Sequence, residues 1–267
     1  MLLTTPRTRL AAAAFVARHG DVFAVFDAAT QDSGNVSYGV RAGGERFFVK
    51  TAGDPDDPRP FLAHDGRVAL LRNGVRLACS TAHRALPPLR HVVEAADGPI
   101  VVYDWVDGDL IGTPRDRRDD PASAYARFRA LGGAEAVAAL DDVFDLHVAL
   151  ARRGWIASDL YDGSLIYDFD TRRIDIVDLD HYRDGPFTND MGRLFGSTRF
   201  MAPEEHALGA RIDERTTVFT LGRLIQQLLP SAAPAVAAVA ARACAPAPEQ
   251  RYAAVAAFYA AWVGAAR

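Results

Sequence analysis

Two acidic segments and one lysine stand out in this chain as residues able to do chemistry. The first segment, Ser158-Asp159-Leu-Tyr-Asp-Gly-Ser164, follows a long stretch with helical apolar spacing. The second, Val177-Asp178-Leu179-Asp180, closes a short apolar run that reads as a strand. Carboxylates that end a hydrophobic strand project into whatever cleft the sheet edge lines. Phosphoryl transfer uses such a pair, one carboxylate orienting the acceptor hydroxyl and the other holding Mg²⁺ on the phosphates. Taken singly, each segment also reads as an ordinary turn or helix cap. The lysine is Lys50, the only one among 30 basic residues, all the others being arginine. An arginine-biased chain that keeps one lysine points to a place needing a compact ammonium instead of a planar fork. A chance survivor would look the same.

The elements that must position these residues follow from periodicity. The first twenty residues read as a short alanine-rich helix. Strands are expected at Val22–Asp27, Val36–Ala42 and Arg46–Lys50, the last two joined by the two-residue hairpin turn Gly43-Gly44. Asp54–Pro60, with three aspartates and three prolines, reads as a loop. Val68, Leu71, Val75 and Ala78 have amphipathic-helix spacing within Val68–Ala82. Leu89–Glu94 and Pro99–Trp105 read as a further strand pair around an Asp-Gly turn. Beyond Gly108 the texture becomes helical, with Pro114–Pro121 a charged connector. A strong helical period runs through Ala134–Arg152. A short strand pair follows at Ser164–Tyr167 and Ile174–Val177, then helices at Val218–Leu229 and Ala233–Cys244. The expected class is α+β, a β-rich first part of five strands and one helix followed by a mainly helical second part.

The 267 residues are enough for one sizeable domain or two small lobes, and 49% hydrophobic with 24% charged residues is ordinary for a globular enzyme. A net charge of −4 argues against a nucleic-acid partner. No apolar run approaches the roughly 20 residues of a membrane helix, and Leu10–Ala17 is closed by Arg18 and His19 without a cleavage pattern. Two cysteines, Cys79 and Cys244, read as reduced thiols of a cytoplasmic protein. The seven histidines are scattered without metal spacing.

From about Asp21 to Tyr252 the order of these features resembles the protein-kinase superfamily, in particular small bacterial-type serine/threonine protein kinases. A hairpin tip with Gly34 precedes the strand lysine Lys50. Val101-Val-Tyr-Asp-Trp-Val-Asp-Gly108 resembles the hinge, Asp159 the catalytic-loop aspartate, and Asp178-Leu-Asp180 the metal-binding Asp-Phe-Gly. Gly196-Ser-Thr-Arg-Phe-Met-Ala-Pro-Glu204 is close to the Ala-Pro-Glu segment, and Arg251 falls where the family pairs an arginine with that glutamate. The resemblance implies a bilobal fold with an N-lobe over 1–105 and a C-lobe over 106–267. It also implies an ATP- and Mg²⁺-dependent transfer to a protein or small-molecule hydroxyl. Under it, Lys50 neutralises phosphate oxygens, and Asp178 with Ser164 holds Mg²⁺. Asp159 aligns the acceptor. Gly34 lies over the phosphates and Val36 roofs the adenine. The backbone of Asp104 and Val106 reads its edge, with Tyr103 behind.

The departures are as specific as the matches. Thr30-Gln-Asp-Ser-Gly34 has one glycine where the family usually has three, and Asn73 or Gly74 stands in place of the helix glutamate that pairs with the lysine. Phe48 replaces a small residue under the adenine, and stacks on the base if it behaves as the aromatic of aminoglycoside phosphotransferases; a core phenylalanine is the other reading. Ala157-Ser158 precedes the aspartate without the usual arginine, so activity independent of phosphorylation at Ser197 or Thr198 is expected. Tyr161 replaces a phosphate-contacting lysine, and Thr217 an anchoring helix aspartate. Only about twenty residues separate Leu229 from Arg251, so substrate-docking helices are expected to be short. An aminoglycoside-type phosphotransferase and a nucleotide-binding pseudokinase are the alternatives.

Overall fold

A computed structural model describes residues 1–27, 34–57 and 62–266. The chain forms two compact units, Met1–Ala82 with Pro87–Val106, and His83–Leu86 with Asp107–Arg267. The class is α+β. Most of the Thr30–Gly34 tip and the end of the Asp54–Pro60 loop lie outside the described residues.

The first unit contains α1 (Ala12–His19), β1 (Asp21–Phe26), β2 (Val36–Ala42), β3 (Glu45–Thr51), α2 (His64–Ser80), β4 (Leu89–Ala95) and β5 (Gly98–Asp104). Its strands form one antiparallel sheet in the order β1-β2-β3-β5-β4. Gly43 and Gly44, at φ 61° and 86°, make the β2–β3 turn, because two consecutive positive φ values are what a tight right-twisted hairpin requires. Side chains alternate across the sheet. One face buries Val40, Phe47, Val49, Val93, Ile100 and Val102 under Phe15 and Val16 of α1 and under Leu2. The other face packs Ala52 and Val101 against Leu71 of α2.

Both expected helices form, one on each face of the sheet; the tally of one helix for the β-rich part leaves out the alanine-rich one at the start of the chain. Alanines dominate α1 and hide its partner, but Ala12, Phe15 and Val16 share one side at helical spacing. Ahead of α1, the chain lies along β4. Glu94 N–H donates to Pro6 O (3.0 Å), and Thr8 N–H to Glu94 O (2.9 Å). That edge of the sheet is therefore covered. Helix α2 begins four residues before the expected Val68, because its first turn carries a buried residue, Arg67.

The second unit contains β6 (Asp109–Leu110), α3 (Ala124–Arg129), α4 (Gly133–Ala151), β7 (Trp155–Ile156), β8 (Leu165–Asp168), β9 (Arg173–Ile176), β10 (Arg183–Asp184), β11 (Phe187–Thr188), β12 (Arg211–Ile212), α5 (Glu214–Leu228), α6 (Pro234–Ala243) and α7 (Val255–Ala266). The short strands pair as β6-β8-β9, β7-β10 and β11-β12. Phe144 of α4 meets Phe258 and Trp262 of α7 edge-on, at 5.1 and 4.9 Å between ring centroids. Helix α7 was not anticipated: Val-Ala-Ala-Phe-Tyr-Ala-Ala-Trp-Val-Gly-Ala-Ala is apolar all round and shows no contrasting face. Gly222 on α5 has no room for a side chain, since a Cβ there would lie 2.7 Å from Ala243 and 2.8 Å from Cys244 Sγ. That close approach seats α6 on α5. The segment His83–Leu86 belongs to this unit through Ile176 N–H to Ala85 O (2.7 Å) and the Arg84–Asp142 ion pair.

Candidate functional site

The sequence-predicted residues fall into two groups, one in each unit. In the first unit, Lys50 is buried on β3, in register with Ser37 on β2 and Val101 on β5. The next row on the same face is Gly39, Phe48 and Tyr103. Lys50, Phe48 and Tyr103 therefore share the α2-facing side. Val36 does not. Its register partner is Thr51, one residue out of phase with Lys50, so its side chain belongs to the α1 side and cannot roof a ligand lying on Phe48. The residue that faces that side is Ser37, whose buried Oγ has no hydrogen-bond partner. Gly34 adopts φ 77° just ahead of β2. Asp104 donates its N–H to Pro88 O (3.0 Å) and its carboxylate pairs with Arg90 (2.7 Å). Val106 is half-buried at the end of the unit.

Three aromatic residues that sequence reasoning passed over crowd this face. Phe26 lies 5.7 Å from Phe48, Phe23 4.8 Å from Trp105, and Phe48 6.4 Å from Trp105. A Cβ on Gly39 would meet the Phe23 ring at 2.7 Å and the Trp105 ring at 2.9 Å. Alternation along β1 could not reveal this, because a bulge between Val22 and Ala24 shifts the register.

On α2, Asn73 accepts a bond from Arg76 (2.6 Å), and Gly74 is buried. Neither supplies a carboxylate to the sheet. The buried charge on this helix is Arg67, which donates to the carbonyl oxygens of Gly34 and of Asp54 (2.8 Å for the latter).

In the second unit, Asp159 and Asp178 both have left-handed backbones, φ 61° and 62°. Non-glycine residues held this way cost about 1–3 kcal/mol each and cluster where function demands them. Val177 N–H donates to Ser164 O (2.9 Å), and Ser164 Oγ donates to Asp159 O (3.4 Å). The loop after Asp159 is thereby tied to the strand end before Asp178. Burial, and then the charge of Asp178, push the Asp159 carboxyl up to about 7. At that value it exchanges a proton near neutral pH, as a general base must.

Supporting contacts surround this pair. Thr217 Oγ1 accepts the Ala157 N–H at 3.0 Å, so a hydroxyl occupies the place of the expected anchoring aspartate and performs an anchoring bond. Tyr161 folds back over Gly163, whose position leaves no room for a Cβ against the ring. His147, fully buried, donates from Nδ1 to Val143 O (2.6 Å) and accepts at Nε2 from the Tyr182 hydroxyl (2.8 Å). Burial holds its pKa down to about 4. Arg199, in the segment before Glu204, pairs with the buried Asp162 at 2.7 Å and bonds Gln227 Oε1 at 3.1 Å. Arg251 reaches both oxygens of Glu204, at 2.6 and 2.9 Å, with its side chain fully buried, and Thr216 Oγ1 adds a third bond at 2.8 Å. Burial opposes the Glu204 charge, yet the bonds from Arg251 and Thr216 keep its carboxyl below the ordinary range.

Among the described residues no group of three His, Cys, Asp or Glu is arranged to hold a metal. The Asp178 carboxylate and the Ser164 hydroxyl are each oxygen donors of the kind Mg²⁺ takes alongside phosphate and water. No described helix is long and apolar enough to cross a membrane. No protein-family model and no curated protein matches this chain.

Proposed function

We propose that this protein is an ATP-dependent phosphotransferase of the protein-kinase fold, moving the γ-phosphate to a hydroxyl of a protein acceptor in the cytoplasm. The observation that carries this reading is the Asp159–Asp178 pair: two carboxylates on strained backbone, electrostatically coupled, one of them titrating near 7. Asp159 accepts the proton of the acceptor hydroxyl as the hydroxyl oxygen bonds the γ-phosphorus in line and the bridging P–O bond breaks, releasing ADP. Asp178 and Ser164 would hold Mg²⁺, which when bound would neutralise charge on the phosphates. Within the first unit, Lys50 is the cation for phosphate oxygens, and Phe48 and Tyr103 offer a surface for the base. The Arg199–Asp162 pair orders the segment ahead of Glu204 without a phosphate, which suits activity independent of loop phosphorylation.

Purified protein incubated with Mg²⁺, γ-labelled ATP and a generic protein acceptor should transfer label. Asp159→Ala should reduce transfer by about 10²–10⁴-fold. Equal transfer by both proteins would sink the assignment of Asp159. A second reading, a nucleotide-binding protein without transfer, is favoured by the Phe23 and Trp105 rings seated on Gly39. It predicts nucleotide binding with no label transferred.

A further inference from the structure

We infer that Arg67 is an anion-binding residue which, with Lys50, forms a two-cation cradle for the phosphate chain of a polyphosphate. This rests on the reading that the Lys50 side of the sheet receives nucleotide phosphates.

Helix α2 presents Arg67, Leu71, Gly74 and Leu77 to the interior. The first of these is a charge only 1% exposed. Its guanidinium donates to two carbonyl oxygens, those of Gly34 and Asp54, while Nε has no partner. The sole acidic residue of α2, Asp65, is exposed. Carbonyl dipoles satisfy donors but do not cancel a net charge, and a buried guanidinium cannot shed its proton. Among the described residues no carboxylate pairs with Arg67, and an anion would complete the arrangement.

The location fits phosphate. Gly34 and Gly53 both have positive φ, 77° and 71°, and a Cβ on either would lie 3.1 Å from Arg67 Nη1. Glycine at both positions lets the backbone close around the guanidinium. Further along the α2-facing side come the register partners Ser37 and Lys50, with the Ser37 hydroxyl buried and unbonded. An arginine fork, a free hydroxyl and an ammonium thus follow one another on the side of the sheet that lacks a helix carboxylate. A chain of linked phosphates, with a charge on each group, matches that series, and the planar fork takes two oxygens of one group.

The test is thermal unfolding of the full chain in Mg²⁺-free, low-salt buffer with inorganic tripolyphosphate. Wild type should gain several degrees, and Arg67→Met should lose most of that gain. Without ligand, Arg67→Met should melt at or above wild type, because an apolar side chain of similar length replaces a buried charge. If Arg67→Met melts lower yet keeps the tripolyphosphate gain, Arg67 is only a latch for the loop and the inference fails. It fails equally if wild type shows no gain. Should Arg67→Met not fold, Arg67→Lys decides: a requirement for about tenfold more tripolyphosphate supports a bidentate contact, whereas an unchanged response overturns it. Absence of label transfer from ATP, alongside an Arg67-dependent response, would remove the transferase reading and leave this one standing.

Discussion

The two units carry the same kind of expectation to different ends. In the second, positions that depart from the pattern expected by resemblance still make ordered polar contacts. Thr217 bonds the backbone before Asp159 where an aspartate was expected, and Arg199 pairs with the buried Asp162 ahead of Glu204. In the first, the departures change the chemistry. Asn73 or Gly74 stands where a helix carboxylate was expected, α2 buries Arg67 in its first turn, and the Phe48 face of the sheet is crowded by Phe23, Phe26 and Trp105. Polar networks of the second unit tolerate exchange of one donor or acceptor for another. A flat apolar face has no such substitute, so a change there alters what fits on it.

Three variants would break or sharpen this contrast. The largest effect belongs to Arg251→Met in the second unit. It strands the Glu204 carboxylate among buried groups and should cost about 3–5 kcal/mol in urea unfolding. A loss below 1 kcal/mol would show that the network is dispensable.

Next comes the pH dependence of Glu205. Burial foremost, with repulsion from Glu204 and Asp159, raises its carboxyl from 4.5 to about 8, although the Ala202 N–H bonds it at 2.7 Å. The folded state therefore binds this proton more tightly than the unfolded chain. Stability from this group is full below about pH 4.5 and is lost as pH rises towards 8. Glu205→Gln keeps the acceptor and removes the charge. It should flatten that fall in melting temperature between pH 5 and 8, and an unchanged slope would reject the buried-carboxylate account.

The smallest effect is expected in the first unit. Gly39→Ala must displace Phe23 and Trp105, at about 1–3 kcal/mol, with a red shift of Trp105 emission. An unshifted spectrum would mean that the aromatic cover yields freely and the face is open after all.

Much of the local structure was legible. Alternation and the Gly43-Gly44 turn located β2 and β3 to within a residue, because side-chain period and positive-φ glycines are local signals. Asp159 and Asp178 were visible as acids following apolar runs, and the Glu204–Arg251 pair expected from the family pattern is formed. Less could be read where long-range packing decides. The placement of Val36 turns on one residue of register against β3, and motif spacing alone assigned it to the wrong face. The extent of α5 was understated because Glu214-Arg-Thr-Thr looks polar, although Thr216 and Thr217 are buried. Helix α7 has too uniform an apolar surface for periodicity to find.

Lys50 shows the division most clearly. Its rarity, its strand and its phase with Phe48 are properties of the sequence, since alternation along a strand needs no partner. That α2 brings no carboxylate to its side of the sheet, and instead buries Arg67 against Gly34 and Asp54, was decided by tertiary packing. Which side chain of a helix faces a sheet depends on the helix's start and rotation, and these are set by distant apolar contacts such as Leu71 with Ala52 and Val101.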